Sequence, residues 1–129
     1  LPFVGIGLLP DAGTTALVPA AIGRTRAMGM ALLGNRIHGP EALASGMVTA
    51  VHPAEELDGA VAAAAAKLAT GPREAIAATK RAVNASTLAG LDDALRRETE
   101  SQVILLKTDD HREGVDAMLN KRPARFTGR

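Results

Sequence analysis

One carboxylate in the sequence stands where an acid or base could act on a bound molecule. Asp11 follows an apolar segment, residues 1–9, across a single proline, and Ala12 and Gly13 come next. A side chain between a buried strand and a following helix emerges from the core at a turn, where functional residues concentrate. A carboxylate there can take up and return a proton, which is general acid–base chemistry. Asp11 can equally serve only the turn, because aspartate side chains accept local backbone hydrogen bonds.

The other reactive residue types form no recognisable site. The three histidines, His38, His52 and His111, lie far apart and have no metal-ligand spacing, so we expect no metal site. No serine stands in a Gly-x-Ser-x-Gly elbow, which argues against a serine hydrolase. Cysteine is absent, which excludes disulfides and thiolate chemistry and is compatible with a reducing compartment, so we expect a cytoplasmic protein.

Composition argues against two classes of partner. The 129 residues include 15 basic and 14 acidic side chains, so no strong charge of one sign is available for nucleic acid or an anionic membrane. No apolar run reaches the roughly 18 to 20 residues that span a bilayer. The first residue is Leu1 and no leader-peptide pattern follows, so we expect the chain to begin inside a longer protein.

The residue pattern predicts a mostly helical chain with two short strands. Apolar residues 1–9 and 47–51 are short enough for buried strands, and glycine or proline bounds them. Two strands do not make a stable sheet, so they require partners that this chain does not supply. Alanine is abundant and favours helix. Apolar periodicity and end signals predict the longer helices over residues 24–33, 53–68, 74–83, 88–106 and 110–120.

Several segments together resemble the crotonase, or enoyl-CoA hydratase/isomerase, superfamily. The stretch over residues 3–19, with Pro10-Asp11-Ala12-Gly13 at its centre, resembles the segment that follows the family's active-site strand. Later segments of the family are resembled, in the same order, by residues 23–28, 32–34, 41–48, 78–84, 112–115, 121–123 and 126–129. The resemblance covers the whole chain and corresponds to the C-terminal half of the family's α/β fold.

The resemblance implies a division of the chain by role. Residues 1–52 correspond to the end of the family's spiral core, with the active-site turn and the helices after it. Residues 53–129 correspond to a helical region that covers CoA and mediates assembly into a homo-trimer or hexamer. The missing N-terminal half carries the backbone N–H donors that hold an enolate oxygen, so we expect these 129 residues alone to be inactive.

The resemblance also implies site residues. Phe3 stands where the family's hydratases have a glutamate, whereas Asp11 matches the carboxylate position of isomerase branches, including isomerases of ring-oxidised phenylacetyl-CoA. Lys121 matches a residue that binds CoA, and Gln102 replaces an aromatic residue that some members use nearby. The remaining implied positions are Phe126 for substrate binding, and Pro10, Gly13 and Thr14 in the active-site turn.

These correspondences predict an enoyl-CoA isomerase that shifts a double bond by means of a single carboxylate. CoA is part of the acyl-CoA substrate, so no separate cofactor is expected. Two alternatives remain open from the sequence. One is an enoyl-CoA hydratase whose missing half supplies further machinery, and the other is a non-catalytic helical module for oligomerisation or CoA binding.

Overall fold

A computed structural model describes all residues, 1–129, as helices joined by turns and extended segments, with no β-strand. A short 3-10 helix covers Pro2–Ile6. The α-helices are α1 (Thr14–Ile22), α2 (Arg24–Leu32), α3 (Gly39–Ala44), α4 (Ala54–Ala69), α5 (Arg73–Thr87), α6 (Leu91–Leu105) and α7 (Asp109–Leu119). Each of the longer predicted helices is present, with ends displaced by one to a few residues. None of the helices is long and apolar enough to cross a membrane.

The strand predicted over residues 1–9 is wrong, because most of this segment forms the 3-10 helix. Pro2 lies in its first turn, where a fixed φ and a missing N–H are tolerated. Gly7 ends it in the left-handed region, with φ +70°, and the Gly7 N–H donates to the carbonyl of Val4. Only Leu8 and Leu9 continue without helical structure toward the turn.

The strand predicted over residues 47–51 is also wrong. The N–H of Met47 donates to Ala42 O at 2.9 Å, and the N–H of Gly46 donates to Leu43 O at 3.1 Å. With Gly46 at φ +81°, these bonds form the Schellman motif that closes α3. The apolar residues that follow have no strand beside them in this chain, and an unpaired segment gains no ladder hydrogen bonds.

Two compact units divide the chain. The first contains Leu1–Ile37 and Gly90–Arg129, and the second contains His38–Ala89. The division into residues 1–52 and 53–129 assigned a role to each part and not a compact unit, and it stays a prediction. The core of the first unit consists of small and medium apolar side chains, namely Val18, Ile22, Ala27, Met30, Ala94 and Ala117.

Within the first unit, α7 lies directly against the 3-10 helix. Gly114 comes so close that a Cβ there would lie 2.6 Å from Ile6 Cα. His111 lies one turn before Gly114 in α7, and its Nδ1 is 2.8 Å from Ile6 O. A glycine and a histidine therefore join residues more than 100 positions apart in the chain.

The second unit contains α3, α4 and α5, and it buries little. Ala42 is its one buried residue, and neither α4 nor α5 has a buried residue. Val61, Leu68 and Val83 are more than half exposed. Apolar side chains of this unit therefore remain uncovered within the chain.

Candidate active site

Asp11 begins a tight turn whose backbone holds the start of α1. The N–H of Thr14 donates to Asp11 O at 3.1 Å, and the Thr14 hydroxyl donates to the same oxygen at 2.7 Å. Ala12 has φ +57° and Gly13 has φ +81°, as in a type I′ turn. Positive φ is unusual for alanine, so the surrounding structure must hold it. The turn leaves the half-buried Asp11 side chain free for other contacts.

Glu98 of α6 holds the other end of this turn. Its carboxylate accepts the N–H of Gly13 at 2.7 Å and the N–H of Thr15 at 2.9 Å, and it also accepts the Thr15 hydroxyl. The side chain is almost fully buried, with 2% of the residue exposed. A carboxylate at a helix N-terminus pairs orphan N–H groups and complements the helix dipole. Neither threonine caps α1 with its own hydroxyl oxygen; Glu98 takes that role from another helix.

The ionisation of Glu98 reflects two opposing effects. Burial acts to raise the pKa of the Glu98 carboxyl, but hydrogen bonds from the Thr15 hydroxyl and from the Gly13 and Thr15 N–H groups act to lower it. The pKa of Glu98 lies below its ordinary value as a result. Glu98 is therefore a charged, fully engaged structural carboxylate at neutral pH.

Gln102, one turn further along α6, contacts Asp11 directly. Its Nε2 donates to Asp11 Oδ2 at 2.8 Å and to Leu9 O at 3.0 Å, while its Oε1 accepts the N–H of Leu9 at 3.4 Å. The side-chain amide thus pairs with both backbone groups of Leu9, as a neighbouring strand would. From the sequence, Gln102 was related only to CoA, and its contact with Asp11 was not predicted. The four-residue spacing of Glu98 and Gln102 was the available signal, since it places both on one helix face.

Asp11 lines a cavity of about 420 Å³ along α6. Leu95, Val103 and Leu106 form apolar parts of its wall. The polar residues of the wall are Asp11, Glu98, Thr99 and Gln102. A carboxylate beside apolar side chains can act on a carbon atom of an apolar ligand, since the ligand is held by burial and the proton moves to the charged oxygen.

The other predicted site residues lie apart from this cavity. Pro10 and Thr14 line a second cavity of about 460 Å³ between α1 and α2. Phe126 lines a third, of about 510 Å³, which Pro10 also borders. Lys121 is exposed just after α7, with φ +51°. Pro10 and Thr14 are thus next to Asp11 in the turn but do not line its cavity, and neither Lys121 nor Phe126 lines that cavity.

Acidic residues of α7 hold the C-terminal segment that carries Phe126. Asp110 accepts the N–H of Thr127 at 2.7 Å and the N–H of Gly128 at 2.9 Å. Glu113 forms a paired ion bridge with Arg122 at 2.6 and 2.7 Å. The Arg122 guanidinium is the main cause that lowers the pKa of Glu113 to about 2. These contacts fix the tail against its own helix.

Comparison with known proteins assigns a family to this arrangement. The family model described as "Enoyl-CoA hydratase/isomerase" matches residues 1–129. A probable enoyl-CoA hydratase of Rhodobacter capsulatus is 43% identical over 98% of this chain and 49% of its own length. The 1,2-epoxyphenylacetyl-CoA isomerase of Escherichia coli is 40% identical over 100% of this chain and 49% of its own. The chain thus spans about half the length of these relatives.

A solved structure gives the same answer for the fold. An enoyl-CoA hydratase from Mycobacterium avium subsp. paratuberculosis superimposes with a TM-score of 0.95 and 52% sequence identity, covering 98% of this chain and 52% of that one. At this similarity the helices and their connections are shared along nearly the whole chain.

Proposed function

The chain belongs to the enoyl-CoA hydratase/isomerase family, and from that premise we propose that the full-length protein is an enoyl-CoA isomerase with Asp11 as its proton-transferring base. The fold is the helical C-terminal half of the crotonase fold, as the resemblance implied. The observation that carries the proposal is the placement of one carboxylate, Asp11, fixed by Gln102 on the wall of a largely apolar cavity.

The proposed reaction needs only one acid–base group. Asp11 removes a proton from the α-carbon of a 3-enoyl thioester, and the electron pair of the broken C–H bond moves into the thioester as a dienolate. Asp11 then returns the proton to the γ-carbon, and the double bond moves into conjugation with the thioester. The negative charge on the thioester oxygen requires N–H donors, which we expect from the half that this chain does not span.

The local structure favours isomerisation over hydration. Hydration requires a held water molecule, which the family's hydratases place between two carboxylates. Glu98 is the one other acid lining the Asp11 cavity, and three donors of the turn already occupy its oxygens. Phe3, at the position of the hydratase glutamate, cannot activate water. Hydration stays an alternative because similar proteins are described as hydratases.

Product analysis with the full-length protein tests the proposal. A 3-enoyl-CoA and the corresponding 2-enoyl-CoA are incubated separately with the enzyme, and the products are resolved by chromatography. We expect conversion of the 3-enoyl to the 2-enoyl thioester with little 3-hydroxyacyl-CoA. Rapid water addition to the 2-enoyl thioester would favour the hydratase alternative. Binding of CoA thioesters without any conversion would favour the non-catalytic module.

We further propose a homo-trimer or hexamer in which Lys121 and Phe126 contribute to acyl-CoA binding. The uncovered apolar side chains of α4 and α5 support assembly, because exposed apolar faces of this kind are commonly buried between subunits. Light scattering of the full-length protein measures the assembly directly. A mass equal to three or six chains is expected, and a monomer would contradict it.

A further inference from the structure

We propose that Gln102 is a positioning residue for the Asp11 carboxylate, so that its amide decides which carboxylate oxygen receives the substrate proton. This inference rests on the proposed function, in which Asp11 is the base. It assigns to α6 a direct part in the reaction, beyond its role in building the cavity wall.

The orientation of the Gln102 amide follows from its three partners. Leu9 N–H can only donate and Leu9 O can only accept, so the amide oxygen must face the former and the amide nitrogen the latter. The same nitrogen then has its second hydrogen directed at Asp11 Oδ2, at 2.8 Å. A flipped amide would place its oxygen against two acceptors. The backbone of Leu9 thus selects the orientation that presents a donor to Asp11.

The contact divides the Asp11 carboxylate into two unlike oxygens. Oδ2 accepts the Gln102 hydrogen bond, whereas Oδ1 accepts none from this chain. A neutral amide does not take up a proton at ordinary pH, so Gln102 orients the base without competing for the substrate proton. Oδ1 is therefore the oxygen that carries the proton between the two carbon atoms.

Glu98 makes this positioning effective. It fixes the backbone of the turn through Gly13 and Thr15, and Gln102, four residues later, fixes the side chain at the start of that turn. Both lie on one face of α6. Displacement of a reacting group by about 1 Å can cost roughly 10²-fold in rate, so a base with both restraints is held where its reaction is fast.

Three variants of the full-length protein test the proposal. Gln102→Leu removes the donor, and Gln102→Glu replaces it with a carboxylate facing Asp11. Ser101→Glu, on the exposed neighbouring position, is the control for added charge on α6. For each, kcat and KM for double-bond migration, the pH profile of kcat/KM and the melting temperature are measured. Glu98 is the other titratable group of the cavity and is unchanged in all three.

We expect Gln102→Leu to lower kcat by roughly 10- to 100-fold with less than about a twofold change in KM. In Gln102→Glu, the acidic limb of the pH profile should move to higher pH, because a second negative charge disfavours the first. Ser101→Glu should leave kcat and the pH profile unchanged. A lower melting temperature alone, with kcat and the pH profile of the wild type, would overturn the positioning role and leave the proposed function standing. Full activity in a fourth variant, Asp11→Asn, would overturn both the positioning role and the proposed function.

Discussion

Thr15 and Glu98 are 83 positions apart, and Thr15 donates both its backbone N–H and its hydroxyl to the same carboxylate oxygen of Glu98. Through this pair, α6 caps the N-terminus of α1 and closes the turn that presents Asp11. The stability of the turn and the placement of Asp11 therefore depend on the same side chain.

Glu98→Gln should destabilise the full-length protein and reduce its activity. The glutamine oxygen can accept part of the donor set, but its NH₂ group faces an N–H of the turn and leaves a buried donor unpaired. We expect a loss of about 1–3 kcal/mol in the free energy of unfolding. Glu100→Gln, at an exposed ion pair with Arg96 on the same helix, is the matched control and should cost less than about 1 kcal/mol. Equal melting temperatures for the two variants would contradict the capping role.

Gly114→Ala should be strongly destabilising, whereas Gly59→Ala should not. A Cβ at Gly114 would lie 2.6 Å from Ile6 Cα and 2.8 Å from Ile6 C, and backbone atoms cannot rotate away. Such overpacking typically costs about 1–3 kcal/mol. Gly59 lies inside α4 with no atom within 4 Å of an added Cβ. Alanine there should therefore raise the free energy of unfolding by roughly 0.5–1 kcal/mol. Thermal unfolding of both variants gives the comparison, and a tolerated Gly114→Ala would refute the close contact.

Arg122→Gln should lower stability at neutral pH by an amount that disappears in acid. Hydrogen bonds from Arg122, as the main cause, and from the Arg125 N–H lower the pKa of Glu113 from 4.5 to about 2 in the folded protein. A carboxyl group whose pKa is lower in the folded than in the unfolded protein stabilises the fold at pH values above its unfolded-state pKa. This contribution is lost as the pH falls through the folded-state pKa. The difference in melting temperature between wild type and variant should therefore shrink between pH 4.5 and about 2. Arg96→Gln, at a more exposed cluster, is the control. A melting-temperature difference between wild type and Arg122→Gln that does not change with pH would contradict the pairing of Arg122 with Glu113.

Much of this architecture follows from local sequence signals, and the exceptions have physical causes. The long helices and the turn after Pro10 were predicted because alanine, apolar periodicity, glycine and proline act locally. The prediction of two strands was wrong because a strand depends on a partner strand, and this chain supplies none. Leu9 instead satisfies its backbone with the side chain of Gln102.

The candidate site was only partly predictable for the same reason. Asp11 could be found because it lies beside turn residues in sequence. Glu98 and Gln102 could not be assigned to it, because their contacts cross more than 80 positions of the chain. Their i, i+4 spacing shows a shared helix face but does not identify what that face contacts.

Lys121→Ala should weaken CoA binding by the full-length protein at low salt, because the resemblance implies that its ammonium reaches the CoA of a neighbouring subunit. The exposed position of Lys121 allows such a contact and makes it sensitive to screening, so the effect should diminish as salt is raised. Calorimetric titration with CoA measures the affinity. Lys80→Ala, on exposed α5, is the control. Equal affinities for the two variants at low salt would contradict the assignment.

The rate of double-bond migration by Asp11→Asn tests the central claim most directly. Asparagine keeps the shape of the side chain and can still accept the Gln102 hydrogen bond, and the turn bonds use the backbone oxygen of residue 11. The fold should therefore be retained, with the melting temperature of the wild type. We expect the isomerisation rate of the full-length enzyme to fall by roughly 10²- to 10⁴-fold while substrate binding is largely kept. Asp92→Asn, an exposed acid at the start of α6, should be fully active. An Asp11→Asn enzyme that isomerises within a few-fold of the wild-type rate would contradict Asp11 as the base.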